Sequence, residues 1–341
     1  MKPETSLLSR RSVVAGMGLS VGAGLAAAQT LGQTKAAASA TFWNAEYTVK
    51  KGDVSLAMYR KRLTAPKAGD APLPVLFLVH GSSLSAKSSF DLAVPGAEYS
   101  LMNVFARYGF DVWTMDHENY GKSSRTPGNA DVASGVEDLK AGIELVAHET
   151  GRAKVHMFGE SSGGLRAGGY AMARPDRIDR LVLGAFTYKG EGSPTLKERA
   201  KQLDYYRTHN MRLRDRAMIR SIFTRDKVGT SDPSIADVLA DMELKYGDQV
   251  PTGTYLDMTA NLPVVDPKKV LAPVQLLRGE YDGIATVADL TEFFDLLPSG
   301  DRQFVILPGS AHSLIFAVNR KSFWHAMNAF LTMPPVVPIG A

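Results

Sequence analysis

The sequence contains no cysteine among its 341 residues. Disulfides, thiolate metal sites and cysteine nucleophiles are therefore excluded, so any chemistry has to come from serine, histidine, acidic side chains or a cofactor. A large excess of one charge is also missing. The net formal charge is +4, and the first forty residues, with four cations against one acid, leave only +1 for the remainder. Nucleic acid is therefore not an expected partner.

Long apolar segments are scarce, and the one near the N-terminus is interrupted by glycines. Arg10 and Arg11 precede this weakly apolar run, which is rich in glycine and alanine and ends near Ala28. The run is shorter than the roughly 20 residues that cross a bilayer. An uncleaved membrane anchor is the alternative interpretation. The segment resembles a bacterial twin-arginine signal peptide. This resemblance implies that residues 1–40 are a signal peptide and short spacer, handled by the twin-arginine export machinery. The mature protein is then expected to be periplasmic or secreted, without stable membrane insertion.

From residue 41 onward, short apolar segments alternate with helical patterns. Continuous apolar runs are typical of buried parallel strands. Strands alternating with helices predict an α/β protein with a mostly parallel central sheet and helices on both faces. The preceding stretch, 44–63, favours an antiparallel hairpin at the sheet edge. The predicted strands span residues 75–79, 110–115, 155–158, 181–185, 274–277 and 304–307.

This alternation stops at residues 189–269, where about eighty polar, helix-prone residues separate two strands. So long an insertion predicts a helical cap on a core formed by residues 41–188 and 270–341. Its first half carries eleven cations against five acids. A solvated helical surface explains this bias, and a basic lining that draws in an anionic substrate is the alternative. The cations are Lys189, Lys197, Arg199, Lys201, Arg207, Arg212, Arg214, Arg216, Arg220, Arg225 and Lys227.

The motif Gly159-Glu160-Ser161-Ser162-Gly163 lies between the strand predicted at 155–158 and a helix-compatible segment. G-x-S-x-G in this context is typical of a nucleophile elbow, a sharp turn that presents the serine. The turn needs glycine at 159 and 163 because side chains there would collide with neighbouring backbone. The motif therefore predicts Ser161 as a nucleophile.

With this motif in place, the chain resembles the α/β-hydrolase superfamily from about residue 44 to 332. His80-Gly81-Ser82-Ser83 ends a predicted strand and is similar to the family's H-G-x turn. The resemblance implies an oxyanion hole formed by the backbone N–H groups of Ser82 and Ser162. His80 itself is expected to be structural.

The segment 116–123 is similar to the family's D-x-x-G-x-G-x-S sequence, with Asn119 where glycine is usual. In the family this segment shapes the site without taking part in the chemistry. Glu118 and Tyr120 within it are possible substrate contacts.

The remaining two catalytic residues are predicted from chain order and loop position. Asp282 follows the strand predicted at 274–277, where the resemblance places the acid, with Glu280 and Glu191 as alternatives. His312 lies in the loop after the last predicted strand. The histidine needs a carboxylate beside it because the carboxylate fixes the imidazole tautomer and stabilises the imidazolium.

Together these residues predict a serine hydrolase that cleaves carboxylic esters of small-molecule acyl substrates through an acyl-enzyme on Ser161. Amidase, lactonase or acyltransferase activity with the same triad is the alternative, and a non-catalytic ligand-binding homologue is a further one. No cofactor is expected, and no cluster with metal-ligand spacing is present.

Overall fold

The computed structural model describes residues 41–336. The predicted signal segment, residues 1–40, lies outside the described residues. In the part that is described, eight strands form one central sheet, and four short strands form two separate pairs. The strands are β1 (Trp43–Lys51), β2 (Val54–Arg62), β3 (Val75–Val79), β4 (Leu92–Val94), β5 (Ala97–Tyr99), β6 (Asp111–Met115), β7 (Val155–Glu160), β8 (Ile178–Gly184), β9 (Met211–Leu213), β10 (Gln249–Pro251), β11 (Val274–Gly279) and β12 (Arg302–Leu307).

The order across the sheet is β1-β2-β6-β3-β7-β8-β11-β12. Strands β1 and β2 form an antiparallel hairpin at one edge, and β2 also runs antiparallel to β6. All other neighbours in this sheet are parallel. The hairpin predicted at 44–63 is therefore confirmed. Parallel strands end at the same edge of a sheet, so the loops after β3, β7, β11 and β12 meet there.

The helices cover both faces of the sheet. Alternate residues of β3 pack into two different cores, with Phe77 in one and Leu78 in the other. The α/β fold predicted from the sequence is confirmed. The helices are α1 (Ala86–Phe90), α2 (Leu101–Arg107), α3 (Val132–Thr150), α4 (Ser162–Ala173), α5 (Pro194–Ala200), α6 (Leu203–Thr208), α7 (Arg216–Thr224), α8 (Pro233–Glu243), α9 (Gly253–Leu256), α10 (Val287–Asp295) and α11 (Arg320–Leu331).

Helix α3 shows how local sequence sets the ends of an element. The Asp131 side chain caps its N-terminus by accepting a hydrogen bond from the Ser134 N–H at 2.7 Å. Gly151 ends the helix with a φ of 69°, a left-handed conformation that favours glycine. Between these caps, Leu139 and Ile143 recur at helical spacing and are buried.

The insertion at residues 189–269 contains α5 to α9 and also a small antiparallel pair, β9 with β10. Only helices were expected here. Three-residue strands are too short to show an alternating pattern, which is why the sequence did not indicate them. The same limit applies to β4 and β5. None of the helices in residues 41–336 combines the length and apolar character needed to cross a membrane.

A buried ion pair joins the insertion to the core. The Arg214 guanidinium, just after β9, pairs with the Glu243 carboxylate at the end of α8, and both side chains are buried. Glu243 also accepts hydrogen bonds from the Ser85 N–H at 3.0 Å and from the Ser85 hydroxyl at 2.7 Å. Ser85 lies in the loop after β3, so this carboxylate connects the insertion to the loop edge of the sheet.

We expect Glu243→Ala to destabilise the protein strongly because it leaves the Arg214 guanidinium buried without a counter-charge. Removing one partner of a buried pair costs about 3–5 kcal/mol. The measurement is the thermal unfolding midpoint. Asp237→Ala is the control, since Asp237 pairs with Arg216 and Arg220 on the exposed surface and its loss should have little effect. Equal midpoints for the two variants would contradict this role of Glu243.

Candidate active site

Ser161 occupies a strained backbone conformation between β7 and α4. Its φ is 58° and its ψ is −126°. Non-glycine residues rarely adopt positive φ, and such strain is typical of functional sites. The Ser161 N–H donates to the Gly184 carbonyl at 2.8 Å, which connects the turn to the end of β8. The serine predicted as nucleophile therefore lies on a sharp strand-to-helix turn.

Two glycines allow the backbone to pass through this turn. A Cβ atom added to Gly159 would lie 2.3 Å from the Gly163 carbonyl oxygen. One added to Gly163 would lie 2.2 Å from the Val79 carbonyl oxygen at the end of β3. Both contacts are with backbone that cannot move aside, so these positions exclude any side chain.

The structure brings Ser161, His312 and Asp282 into one chain of hydrogen bonds. The Nε2 atom of His312 lies 3.1 Å from the Ser161 Oγ, and its Nδ1 atom lies 3.0 Å from the Asp282 Oδ1. The Ile284 N–H also donates to Asp282 Oδ1, at 2.9 Å. His312 is 7% exposed and Asp282 is 3% exposed. This is the geometry of a nucleophile, a base and an orienting acid.

The charge state of Asp282 follows from its surroundings. Burial alone would raise its pKa, but the adjacent His312 and the Ile284 N–H favour the carboxylate and lower the pKa below its usual value. Asp282 therefore remains ionised at neutral pH. An ionised carboxylate at Nδ1 keeps the Nε2 atom available to accept a proton from Ser161.

The alternative acids lie elsewhere. Glu280 accepts a hydrogen bond from the Gly309 N–H at 2.8 Å and so braces the loop that carries His312. Glu191 is exposed. Among the carboxylates predicted for this position, only Asp282 contacts His312 in the described structure.

The turn at His80–Ser83 packs against the elbow. The hydroxyls of Ser82 and Ser162 are 2.6 Å apart, and the Tyr120 hydroxyl donates to the Ser82 carbonyl at 3.1 Å. The Ser162 N–H lies in the first turn of α4, where backbone N–H groups have no acceptor within the helix. This N–H lies at the N-terminus of the helix, and the positive end of the helix dipole stabilises negative charge there.

His80 has a structural position, as the sequence indicates. Its Nε2 accepts from the His117 N–H at 3.2 Å, so its Nδ1 carries the proton and donates to the Gly81 carbonyl at 2.8 Å. Burial, followed by the nearby His117 and Arg166, lowers the pKa of His80 well below its usual value. His80 is therefore a neutral ring that holds the turn.

The residues expected as substrate contacts, Glu118 and Tyr120, do not border the cavity beside Ser161. Glu118 instead accepts from the Lys51 ammonium group at 2.7 Å, and Tyr120 braces Ser82 as described above. Asn119 has a φ of 69°. Asparagine tolerates this left-handed conformation better than other non-glycine residues, which explains how it replaces the usual glycine.

Comparison with known proteins identifies the family of the chain. The family model described as "Serine aminopeptidase, S33" matches residues 95–318. The chain belongs to this family of α/β-hydrolases. The chain is also 33% identical over 115 residues to a 2-hydroxy-6-oxononadienedioate/2-hydroxy-6-oxononatrienedioate hydrolase from Paraburkholderia phymatum. That match covers 32% of this chain and spans only 34% of the relative's own length.

Solved structures share the fold at low sequence identity. An E-2-(acetamidomethylene)succinate hydrolase is 18% identical with a TM-score of 0.62, over 85% of this chain and 100% of that one. A bromoperoxidase from Bacillus anthracis is 19% identical with a TM-score of 0.61, over 85% of this chain and 100% of that one. An enol-lactonase from Burkholderia xenovorans LB400 is 19% identical with a TM-score of 0.59, over 82% and 97%.

Two neighbouring cavities lie at this site. A small one, of about 50 Å³, is bordered by Ser161 and His312. A larger one, of about 760 Å³, is bordered mainly by the insertion. Arg199, Ile222 and Arg225 border both cavities. The larger volume falls in the range typical of small-molecule sites. These lining residues belong to no motif, and only the cationic bias of the insertion pointed towards them.

Asp226 is a second acidic residue beside His312, and the sequence did not indicate it. Its carboxylate lies within 4.8 Å of the ligand atoms of Asp282 and His312. Arg225 donates to it at 3.1 Å. We assign no metal to this cluster because both ring nitrogens of His312 are already bonded, to Ser161 and to Asp282.

Glu160, next to the nucleophile, is half-buried and borders the small cavity. Its Oε1 atom has no hydrogen-bond partner among the described residues. Burial, followed by the charge of Asp282, raises its pKa to about 8. Glu160 is therefore mostly protonated at neutral pH, which keeps a second negative charge away from Ser161.

We expect Gly163→Ala to disrupt the elbow because the added methyl group would collide with the Val79 carbonyl. Circular dichroism and the thermal midpoint should show a loss of several degrees or a failure to fold. Gly300→Ala is the control, since nothing lies within 4 Å of a Cβ atom there. Unchanged stability of Gly163→Ala would contradict this account of the turn.

A pH-dependent stability difference is expected for Glu160→Gln. Because the folded-state pKa of Glu160 lies above that of an exposed glutamate, the folded state binds more protons between about pH 4.5 and 8. Wild-type stability should fall as pH rises through this window, and Gln should remove that contribution. The difference between the two thermal midpoints, variant minus wild type, should therefore increase from about pH 5 to about pH 8. Glu137→Gln, on the exposed face of α3, controls for the loss of a carboxylate; a constant difference for Glu160→Gln would refute the prediction.

Proposed function

We propose that this hydrolase cleaves carboxylic esters through an acyl-enzyme on Ser161. The observation that carries the proposal is the hydrogen-bonded chain from Ser161 through His312 to Asp282, set on a strained elbow. In it, Ser161 is the nucleophile, His312 the general base and Asp282 the residue that orients the base.

The reaction follows from this geometry. His312 Nε2 takes the Ser161 proton as Oγ attacks the acyl carbon, and the carbonyl oxygen becomes an oxyanion held by the N–H groups of Ser82 and Ser162. Collapse of this intermediate expels the alcohol, which receives the proton from His312. Water, activated by His312, then attacks the acyl-enzyme and releases the acid and Ser161. Loss of one oxyanion donor typically raises such a barrier by about 2.7–4 kcal/mol.

Esters are the proposed substrates because an alcohol leaves more readily than an amine. Amides, lactones and acyl transfer to alcohols remain the alternatives for the same triad. A peptidase that recognises a free N-terminus needs carboxylates to bind the ammonium group. Here three arginines, Arg199, Arg212 and Arg225, border the larger cavity. Of the acids at its edge, Asp226 is bonded to Arg225, and Glu198 pairs with Lys201 in solvent.

The insertion is proposed as a cap over the nucleophile. Its residues Arg199, Ile222 and Arg225 border the cavity at Ser161. We also propose that the enzyme works in the periplasm or outside the cell, on the basis of Arg10, Arg11 and the weakly apolar run that follows.

A serine-directed fluorophosphonate should add once to the wild-type enzyme, as measured by intact mass. The adduct should be absent in Ser161→Ala, which lacks the nucleophile, and strongly reduced in His312→Ala, which lacks the base. Ser234→Ala, an exposed serine at the start of α8, is the control and should label like wild type.

Matched p-nitrophenyl butyrate and p-nitrobutyranilide then test the ester assignment. We expect the ester to have the higher kcat/KM by at least about 100-fold, with turnover lost in Ser161→Ala. Faster cleavage of the anilide would overturn the ester assignment, and an adduct that persists in Ser161→Ala would remove Ser161 as the nucleophile.

A further inference from the structure

The larger cavity contains two arginines that pair with no carboxylate of the described residues. Arg199, on α5, and Arg212, on β9, lie against the ring of Tyr255, with their guanidinium carbons 4.1 Å and 4.0 Å from its centroid. In residues 41–336, neither guanidinium forms an ion pair with a carboxylate, whereas Arg225, the third arginine, is bonded to Asp226. The cavity therefore carries positive charge that no carboxylate of the described residues neutralises.

The hydrogen bonds of these two arginines are also incomplete. Arg212 is 8% exposed, and its Nε atom is buried with no hydrogen-bond partner among the described residues. Its Nη2 atom donates to the Ser82 carbonyl at 3.2 Å and to the Ser83 hydroxyl at 3.0 Å. Arg199 has only a weak side-chain contact, from Nη1 to the Met258 sulfur at 3.7 Å. Guanidinium groups therefore remain available to a ligand.

Burying a charge without a partner is costly, so such an arrangement needs an explanation. Arg214, from the same strand region, shows the usual solution, because Glu243 neutralises it. Burial, followed by repulsion from Arg225 and Arg212, lowers the pKa of Arg199 below its usual value. An anion bound between Arg199 and Arg212 would supply the missing charge.

We propose that the substrate is an anionic ester whose carboxylate binds Arg199 and Arg212 in the larger cavity while its acyl carbon reaches Ser161. This inference rests on the proposed function. The planar guanidinium fork matches a carboxylate in bidentate geometry. Met218 and Ile222 border the same cavity, and these apolar side chains suit the carbon chain of an organic acid.

The two cavities are arranged for such a substrate. Arg199 borders both of them, so a carboxylate bound to it lies next to the space that contains Ser161. The carboxylate can belong to the acyl group, as in a half-ester of a dicarboxylic acid, or to the alcohol. In both cases the arginines bind the same carboxylate group. Matched substrates with the carboxylate on one side or the other distinguish the two cases.

Tyr255 adds a pH dependence to this site. Burial alone would raise its pKa, but Arg199 and Arg212, with smaller effects of Ser83 and Arg225, lower it to about 7. Below this pH the neutral phenol leaves both guanidinium groups free for substrate, and above it the phenolate competes for them. Tyr206, on α6, packs edge-on against the same ring.

The test compares esters that differ only in charge. For the acyl side these are mono-p-nitrophenyl glutarate and its neutral methyl ester, and for the alcohol side 4-acetoxybenzoate and its methyl ester. At about pH 6 we expect the ratio of kcat/KM, anionic over neutral, to exceed about 10 in at least one pair. Arg199→Gln should bring that ratio close to one, and wild type should lose it above about pH 7.

Arg220→Gln is the matched control, because Arg220 lies on the insertion but is exposed and paired with Asp237. It should keep the wild-type ratio. In Tyr255→Phe the ratio should remain high as the pH rises, since no phenolate forms. A preference that is equal in wild type and Arg199→Gln would overturn the assignment of the carboxylate to Arg199.

Failure of this proposal and failure of the ester hypothesis are distinguishable. Ser161-dependent hydrolysis with ratios near one in both pairs would refute the anion site and leave the ester hypothesis intact. If no ester is hydrolysed, calorimetric titration of Ser161→Ala with glutarate tests whether the anion site exists. Binding that is lost in Ser161→Ala/Arg199→Gln supports the anion site, and absence of binding overturns it.

Discussion

The close approach of the elbow to the end of β3 is the constraint on which the site depends. Gly163 lies so near the Val79 carbonyl that no side chain fits between them. This contact places the turn after β3 beside the turn after β7, and so brings the hydroxyls of Ser82 and Ser162 together. The loops after β11 and β12 then add Asp282 and His312 at the same edge of the sheet. The energetic cost of a positive φ at Ser161 is offset by the packing around it.

The insertion uses arginine in two different ways. Arg214 is buried and fully neutralised by Glu243, which also bonds to Ser85 in the core. Arg199 and Arg212 border a cavity and have no carboxylate partner in the described structure. One kind of contact stabilises the position of the insertion, and the other leaves charge available to a ligand. All three residues are arginines, so the burial of each side chain and the presence of a carboxylate partner determine its role.

The parts of the site that the sequence predicts are those encoded locally. Ser161 lies within a five-residue motif, and His312 and Asp282 follow apolar strands whose ends are evident from their composition. Even Asn119, the departure from the family pattern, is explained by one backbone angle. Glu118 and Tyr120 illustrate the limit of such motifs, because the segment indicates proximity to the site but not the direction of a side chain.

The cavity could not be predicted in the same way. Arg199, Arg212 and Tyr255 come from separate elements of the insertion and meet only through its packing, including the short pairing of β9 with β10. The sequence shows an excess of cations in this region and leaves two interpretations open. Most of these cations are solvated, as a surface would require, and a small subset lines the cavity. Charge composition alone does not identify that subset.

Arg212 connects the cavity to the turn after β3, which we propose receives the oxyanion, because its guanidinium donates to the Ser82 carbonyl. That carbonyl also accepts from Tyr120. A ligand that orders Arg212 therefore orders the backbone of Ser82 at the same time. In such an arrangement, binding energy from a remote part of the substrate is realised at the reacting carbon, so discrimination among substrates appears in turnover as well as in affinity.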